Sequence, residues 1–206
     1  QSFARNMGVY LQEIPFDIGE LDFFQNNPVD RCYFCKKHLF TRLRELAREQ
    51  GFKWVADGSN CDDLYEFRPG NKAIEELKVR SPLREAGLTK EEIRYLSKKM
   101  ALPTWDKPAA PCLATRVPYG QTVTLKKLSE IQQAEEYLLT LGFQNVRLRH
   151  YDDTARIEIP IRYFKDVLNY REEIVQKLKS LGFVYITLDL EGFRSGSLNE
   201  RKNING

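Results

Sequence analysis

The spacing of hydrophobic residues predicts alternating helices and short strands over the first half of the chain. In KKHLFTRLRELAREQG the apolar side chains recur every three or four residues, which predicts a helix that ends at Gly51. FKWVADG then has the Val and aromatic content of a strand, and VYLQEIPF near the start is a second candidate strand. LTKEEIRYLSKKMAL predicts another helix, with Thr89 and Glu92 as a capping box at its start.

The order of these elements predicts two α/β units. A helix, a hydrophobic strand and then a polar loop are typical of a Rossmann-like parallel sheet, so residues 1–120 are predicted to form part of such a domain. From 121 to 199 the order becomes helix, strand, strand, helix, strand, which predicts a small α+β domain, and 200–206 is expected to be a frayed tail. Between them, PTWDKPAAPCLATRVPYG is rich in proline and predicts a long loop, which is often functional.

Composition and charge narrow the function classes. The chain has 42% hydrophobic and 30% charged residues, as ordinary globular proteins do. Its net charge of +3 is the small difference between 32 basic and 29 acidic residues, which predicts no nucleic-acid partner. No apolar run approaches the roughly 20 residues of a membrane span, and the start lacks a secretory signal pattern. We therefore expect no membrane partner and a cytoplasmic location, where disulfides are rare.

The cysteines therefore need an explanation other than disulfides. Cys32 and Cys35 form a CxxC pair just ahead of the basic helix, which suits a zinc ion, a redox couple or an iron–sulfur cluster. A structural zinc ion needs four ligands, commonly in two close pairs, whereas Cys61 and Cys112 are isolated. Cys32, Cys35 and Cys112 can supply three cluster thiolates if the proline-rich loop folds back over the helix start. Spacing alone leaves these interpretations open, together with buried cysteines that bind nothing.

Two further clusters have the residue types of a nucleotide or anion site. Asp62 and Asp63 follow the predicted strand FKWVADG, where adjacent carboxylates suit a Mg²⁺ ion that holds nucleotide phosphates. The alternative is a turn capped by hydrogen bonds from these side chains, and the sequence leaves both interpretations open. Thr115 and Arg116 follow Cys112, and arginine is the favoured bidentate partner of phosphate.

The strand ends of the second domain carry a third cluster. RIEIP contains Glu158, and TLDLEGFRSGSLN contains Asp189, Arg194 and Ser197. Strand alternation places the two isoleucine neighbours of Glu158 toward the core, so Glu158 is expected to face out. Each polar side chain alone can simply face solvent, but an arginine among glycines and serines is typical of an anion site.

Six segments in this order together resemble the LarE family of ATP-dependent sulfur transferases, which make the pincer cofactor of lactate racemase. The resemblance runs from about Phe3 to Asn199 and is carried by NPVDRCYFCKKHLF, DGSNCDDLYEFRPG, RSPLREAGLTKEEIR, LPTWDKPAAPCLATRVPYG, ARIEIP and TLDLEGFRSGS. It implies a pyrophosphate-loop ATPase domain (adenine nucleotide alpha hydrolase-like), a smaller second domain and a homo-oligomer, often a hexamer. It also implies that ATP and Mg²⁺ activate a carboxylate of the small-molecule substrate, pyridinium-3,5-dicarboxylate mononucleotide, as an acyl-adenylate. Sulfur then displaces AMP, and this happens twice.

The resemblance also assigns roles to particular residues. It implies that Cys32, Cys35 and Cys112 hold a [4Fe–4S] cluster whose open iron carries a transferable sulfide, with Cys112 as the catalytic residue. Cys61 departs from the family pattern and is interpreted as structural. It implies that the substrate phosphate is bound by Thr115, Arg116, Arg194 and Ser197. It places Glu158 and Asp189 near the substrate or a metal. It places Asp62, Asp63 and Arg68 near ATP.

One family motif is missing from the sequence. The SGGxDS pyrophosphate loop, whose amides hold the ATP phosphates, should lie far ahead of Cys32, but only 31 residues precede Cys32 and none resembles it. The chain also opens on Gln1 in what looks like the tail of a helix. We therefore expect a fragment, a split protein whose separate partner chain supplies the loop, or a decayed copy. The chain by itself is expected to release no AMP from ATP.

Two other functions stay open at this point. A non-catalytic scaffold that binds an iron–sulfur cluster or zinc fits the same cysteines, and metal analysis would separate it from a sulfur transferase. A relative of the tRNA thiolases shares cluster-mediated sulfuration, but the near-neutral charge and the lack of a basic stripe disfavour an RNA substrate.

Overall fold

Helices make up most of the regular structure, and one small sheet holds the strands. The computed structural model describes residues 2–19, 21–64, 69–107, 111–194 and 196–198. The α-helices are α1 (Ser2–Asn6), α2 (Asp22–Gln25), α3 (Arg31–Glu49), α4 (Gly70–Glu76), α5 (Pro82–Glu85), α6 (Lys90–Lys99), α7 (Leu125–Thr140), α8 (Phe164–Asn169) and α9 (Arg171–Ser180). Short 3-10 helices cover Cys61–Leu64, Leu113–Arg116 and Ile161–Tyr163. The strands are β1 (Arg147–Tyr151), β2 (Thr154–Glu158) and β3 (Tyr185–Leu188).

The two helices predicted in the first half are confirmed as α3 and α6. Gly51 follows α3 with a left-handed φ of 76°, a conformation that glycine adopts without strain, and the chain turns there. At the start of α6, the Thr89 N–H donates to Glu92 Oε2 at 2.8 Å, and the Glu92 N–H donates to Thr89 Oγ1 at 3.3 Å. The predicted capping box is therefore confirmed.

The order helix, strand, strand, helix, strand predicted for residues 121–199 is found, with the second helix divided into α8 and α9. β1 and β2 form an antiparallel hairpin, and β3 lies parallel to β2, so the strand order is β1-β2-β3. Parallel neighbours need a crossover connection, which α8 and α9 provide with a break at Tyr170. Because α7 packs on β1 and α9 packs on α7 and β3, helices cover one face of the sheet.

A large hydrophobic core lies between this sheet and its helices. It includes Ile131 and Leu138 of α7 and Ile157 of β2, and all three are almost fully buried. Phe24 and Ala114 belong to the same core although they precede the second domain in sequence. The core therefore fixes α2 and the 3-10 helix Leu113–Arg116 against the sheet.

The described residues of the first half form helices and one isolated bridge, so the strands predicted there differ from the structure. VYLQEIPF has no strand, and FKWVADG is reduced to one isolated parallel bridge between Ala56 and Arg80. A strand exists through pairing with neighbours, and within the described residues Arg80 alone pairs with this segment. Trp54 beside the bridge stays 56% exposed. Among the described helices, none has both the length and the apolar character that crossing a bilayer requires.

Candidate functional site

Cys32 and Cys35, the CxxC pair, lie one turn apart on the same side of α3. Cys35 is half-buried against the large core. Burial raises the pKa of the Cys35 thiol to about 11; the positive charge of Arg31 opposes the shift, and the thiols of Cys32 and Cys112 add to it. All three predicted ligand cysteines therefore share one electrostatic environment, although Cys112 is distant in sequence.

Two buried side chains fasten the Cys112 loop (residues 111–118) to the start of α3. Asn27 is fully buried and donates from Nδ2 to the carbonyl oxygens of Val117 at 3.2 Å and Pro118 at 2.7 Å. Arg31, which is 2% exposed, donates from Nη1 to the carbonyl oxygen of Ala114 at 3.1 Å and to Asn27 Oδ1. Arg31, which begins the CxxC helix, and Asn27, which precedes the helix, thus also hold the loop that carries the third cysteine.

Two arginines fasten the same loop to the second domain. Arg116 is 3% exposed and makes a bidentate ion pair with Glu135 of α7, with both N–O distances at 2.8 Å. Its Nη1 also donates to the Cys112 carbonyl oxygen at 3.3 Å. Arg149 of β1 donates from Nη1 to the Thr115 carbonyl oxygen at 2.8 Å. The Cys112 loop is therefore held between α3 on one side and α7 and β1 on the other.

By its chemistry the cysteine set fits a three-thiolate cluster, although it is not a preformed site for a single ion. Among residues 2–19, 21–64, 69–107, 111–194 and 196–198, no group of three or more His, Cys, Asp or Glu side chains could hold a metal ion. A four-iron cluster is larger than one ion, so its cysteine ligands stand further apart than the ligands of one ion do. The thiols of Cys32 and Cys112 both act on the pKa of Cys35, and three thiolates are the donor type that such a cluster takes.

The sheet face opposite the helices, here called the polar face, carries a charged network around Glu158. This fully buried carboxylate accepts two bonds from Arg149, at 2.9 and 2.8 Å, one from Arg156 at 2.8 Å, and bonds from Ser197 Oγ at 3.0 Å. The expectation that Glu158 faces solvent is wrong. Alternation does turn it away from the core, but the arginines and Ser197 cover it, and a carboxylate at this depth needs charged partners.

Asp189 extends the network beyond the end of β3. One of its carboxylate oxygens lies 3.6 Å from Arg156 Nε, and the other lies 3.6 Å from Arg194 Nη1. Arg194 also pairs with Glu191, at 3.0 Å from Nη2 to Oε2. Several predicted site residues thus come together on the polar face, namely Glu158, Asp189, Arg194 and Ser197, with Thr115 joined through its carbonyl group.

Positive charge exceeds negative charge on the described part of the polar face. Arg149 and Arg156 are direct cross-strand partners, where like charges repel, and Glu158 between them supplies one negative charge. Arg156 Nε is buried without a hydrogen-bond partner among the described residues, since the Asp189 oxygen is 3.6 Å away. Burial and the positive charges of neighbouring arginines lower the pKa of Arg147 on the same face. A phosphate would supply the acceptors and the charge that this face lacks.

The contacts of Arg116 differ from its predicted role as a phosphate ligand. Its Nε and Nη2 are taken by Glu135, and its Nη1 donates to Pro111, Cys112 and Thr115. A buried guanidinium with a protein acceptor at each nitrogen fixes the loop rather than facing a ligand. On the polar face, by contrast, Arg156 has one nitrogen, Nε, without a hydrogen-bond partner among the described residues.

The adjacent carboxylates Asp62 and Asp63 both cap turns. Asp62 Oδ2 accepts the Lys90 N–H at 2.9 Å at the start of α6, and Asp63 Oδ2 accepts the Asn60 N–H at 3.0 Å. These bonds match the capped turn, which was the alternative to a Mg²⁺ site that the sequence left open. Arg68 lies outside the described residues, so the ATP assignment of these three residues stays a prediction.

Asp57, at the end of the predicted strand FKWVADG, has the more strongly anchored carboxylate. It accepts from Ser59 Oγ at 2.5 Å and Ser81 Oγ at 2.7 Å, and Lys36 Nζ lies 3.8 Å away. Burial acts to raise the pKa of Asp57, but the bonds from the two serines and the charge of Lys36 outweigh it and lower the pKa below its usual range. Nearby, Cys61 Sγ contacts a backbone carbonyl oxygen at 3.7 Å, which agrees with a structural interpretation.

Comparison with known proteins identifies the family of this chain. No family model matches it. It is 39% identical over 199 residues to the pyridinium-3,5-bisthiocarboxylic acid mononucleotide synthase of Lactiplantibacillus plantarum, a match over 97% of this chain and 72% of that protein. The chain belongs to the LarE family. Membership in the LarE family confirms the resemblance drawn from the six segments.

Two further relatives have names that state no activity. The chain is 47% identical over 176 residues to an uncharacterized protein of Synechocystis sp., covering 84% of this chain and 65% of that protein. It is 34% identical over 176 residues to an uncharacterized protein of Methanocaldococcus jannaschii, covering 85% and 69%. The chain thus spans about two thirds of the length of the curated relatives it matches.

Four residues that build this LarE-family site had no predicted role, namely Asn27, Arg31, Arg149 and Arg156. For the last two a signal exists, because RLRHY and TARIE alternate arginine with apolar residues and so place the arginines on the non-core face. For Asn27 and Arg31 the sequence gives no signal, since asparagine in a loop and arginine at a helix start are both ordinarily exposed.

Proposed function

We propose that this LarE-family chain takes part in the ATP-dependent transfer of sulfur to pyridinium-3,5-dicarboxylate mononucleotide, which gives the bisthiocarboxylate used in the lactate racemase cofactor. The supporting observation is the Cys112 loop, which bonds to the start of the CxxC helix through Arg31 and to the polar face through Arg149. One loop therefore bonds to both the proposed sulfur site and the proposed anion site. The substrate class comes from the name of the Lactiplantibacillus plantarum relative.

The sulfur site is proposed to be a [4Fe–4S] cluster held by Cys32, Cys35 and Cys112. Three cysteine ligands leave one iron without a protein ligand, and the cluster supplies a transferable sulfide there. Since burial raises the pKa of Cys35 to about 11, this thiol is protonated at neutral pH and loses its proton when the cluster binds. The charge of Arg31 favours the thiolate and so assists that step.

The polar face is proposed to hold the substrate phosphate and to orient the carboxylate that reacts. Arg156 has a nitrogen without a hydrogen-bond partner among the described residues, and Arg194 is 28% exposed at the side chain. Glu158 fixes the guanidinium group of Arg156 through Nη2, and Arg149, whose nitrogens are all bonded within the protein, holds Glu158 in place. Ser197 and Asp189 support these arginines from the segment after β3.

The nucleotide part of the proposal rests on the first half of the chain. A carboxylate is a poor electrophile until adenylation gives it AMP as a leaving group, so ATP and Mg²⁺ are required. The parallel bridge between Ala56 and Arg80 supports a Rossmann-like sheet there. Asp62, Asp63 and Arg68 are proposed to lie near ATP, and a homo-oligomer is proposed for the assembly.

The direct test separates sulfur transfer from adenylation. The full chain is reconstituted with iron and sulfide under anaerobic conditions and then mixed with a chemically prepared acyl-adenylate of a pyridine carboxylate mononucleotide. Mass spectrometry measures thiocarboxylate formation in a single turnover. We expect product from the native sequence and from Cys61→Ser, and no product from Cys112→Ser.

Two outcomes would contradict the proposal. Product formation by Cys112→Ser at the native rate would show that the third cysteine has no part in the transfer. A colourless protein with one zinc ion per chain and no product would support a binding scaffold instead.

A further inference from the structure

Asn27 connects two distant segments through its whole side-chain amide and its backbone carbonyl oxygen. Its side chain donates to Val117 and Pro118 and accepts from Arg31, and its backbone carbonyl oxygen accepts the Gly120 N–H at 2.9 Å. Its φ of 49° lies in the left-handed region, which asparagine tolerates better than most residues. A buried side chain whose polar atoms are all hydrogen-bonded specifies one arrangement of the segments that it joins.

Arg31 continues this connection directly to the cysteines. It is the first residue of α3 and immediately precedes Cys32, and its Nη1 bonds to Ala114, two residues after Cys112. The path from Cys32 to Cys112 therefore consists of three peptide units, the Arg31 side chain and one hydrogen bond. Asn27 lies four residues before Arg31, outside the helix, and the two side chains bond to each other, so they act as one unit.

The other attachment of the Cys112 loop is independent of this pair. Arg116 holds the loop to α7 through Glu135, and Arg149 holds it to β1 through Thr115. Ala114 is also buried in the large core. Loss of the bonds from α3 would therefore leave the loop folded on the sheet while its distance from the CxxC pair relaxes.

From this geometry we infer that Asn27 and Arg31 are positioning residues that set the distance between Cys112 and the CxxC pair. The inference rests on the proposed function in assuming that these three cysteines act together. Neither side chain touches the substrate or a sulfur ligand in this role. They act by keeping the third thiol within reach of the other two.

Thiol cross-linking of the full chain measures this distance without iron. Cys32→Ser with Cys61→Ser leaves Cys35 and Cys112, and the rate at which dibromobimane bridges them is followed by peptide mass spectrometry. In that background we compare Asn27 with Asn27→Asp, which keeps the acceptor for Arg31 but loses both donated bonds. Asn27→Gly, which keeps the left-handed backbone, is the second variant. We expect each to slow bridging about tenfold, the order of effect of losing buried hydrogen bonds.

A matched pair within one helix provides the control. Cys61→Ser with Cys112→Ser leaves Cys32 and Cys35, whose separation is fixed by α3 alone, so the same Asn27 variants should not change its bridging rate. Rates with a monofunctional maleimide correct for any change in thiol reactivity. Arg31→Lys keeps the charge and should retain part of the Cys35–Cys112 rate, unlike Arg31→Met.

The outcomes decide between positioning and general stability. An unchanged Cys35–Cys112 rate in both Asn27 variants would overturn the inference, as would an equal fall for both cysteine pairs. Since no cluster is present in this assay, a protein that never binds iron would refute the proposed function without altering the cross-linking result. After reconstitution, the iron content of Asn27→Asp should be lower than that of the unsubstituted chain, in line with its slower bridging rate.

Discussion

The guanidinium of Arg149 donates to the carbonyl oxygen of Thr115 at 2.8 Å while its other nitrogens hold Glu158. One side chain thereby connects the loop of the exposed Cys112 to the charged network around Glu158 on the sheet. In the proposed reaction, the sulfur donor and the substrate phosphate must be held at a fixed separation. The contact between these two residues gives that separation a structural basis.

The buried ion pair between Arg116 and Glu135 should contribute strongly to stability. Glu135→Gln would leave a guanidinium that is 3% exposed without its counter-charge, and the free energy of unfolding should fall by about 3–5 kcal/mol. Urea denaturation followed by circular dichroism measures the change. Glu172→Gln removes an acid that is 84% exposed in its side chain, and it should change stability by less than about 0.5 kcal/mol. Equal effects of the two substitutions would refute the role given to Arg116.

Arg156 should matter more for anion binding than for folding. Its side chain is 30% exposed, and its Nε has no hydrogen-bond partner among the described residues. Arg156→Gln should weaken binding of inorganic phosphate about tenfold, since it removes one charged contact of about 1.5–3 kcal/mol. Isothermal titration calorimetry measures the affinity, and Arg171→Gln on the outer surface of α9 should leave it unchanged. A phosphate affinity that is the same in both variants would argue against the polar face as the anion site.

The raised pKa of Cys35 predicts that the stability of the iron-free protein depends on pH. The Cys35 pKa rises from the ordinary 9.0 to about 11 in the fold, so the native state binds this proton more tightly than the unfolded state does. Its contribution to stability is therefore fully present below pH 9 and is lost as the pH rises toward about 11. Comparing the urea midpoints of the native sequence and Cys35→Ser across this interval measures the loss. Iodoacetamide should also label exposed Cys112 before Cys35 at pH 8, and the reverse order would contradict the assigned burial.

Asp62 should stabilise the turn that leads into α6. Asp62→Ala removes the acceptor of the Lys90 N–H and should lower the free energy of unfolding by about 1 kcal/mol. Asp30, at the start of α3, makes no capping bond with its side chain, so Asp30→Ala is the matched control and should have a much smaller effect. If urea denaturation shows no difference between the two variants, the capping role of Asp62 is refuted.

The helices and the second domain were predictable because their signals are local. Thr89 and Glu92 specify the start of α6 within four residues, and the alternation in TARIE specifies which side of β2 meets the core. The conformation of FKWVADG was not predictable in the same way. A strand depends on neighbours that pair with it, and this segment is reduced to one bridge. Within the described residues, Arg80 is the one that pairs with it.

The site was predictable in its residue types but not in its contacts. Glu158 alternates out of the core as the pattern indicates, yet it is buried because Ser197, far along the chain, closes over it. Arg116 has the chemistry of a phosphate ligand, but Glu135 takes up its guanidinium. Which partner an arginine meets depends on long-range packing, which a local pattern does not encode.

Iron analysis of cysteine variants tests the central claim most directly. After anaerobic reconstitution, the native sequence and Cys61→Ser should each bind about four irons per chain and show the broad visible absorption of a cluster. Cys32→Ser, Cys35→Ser and Cys112→Ser should each lose most of that iron, because the three thiolates form one site. Full iron content and an unchanged spectrum in Cys112→Ser would contradict the account.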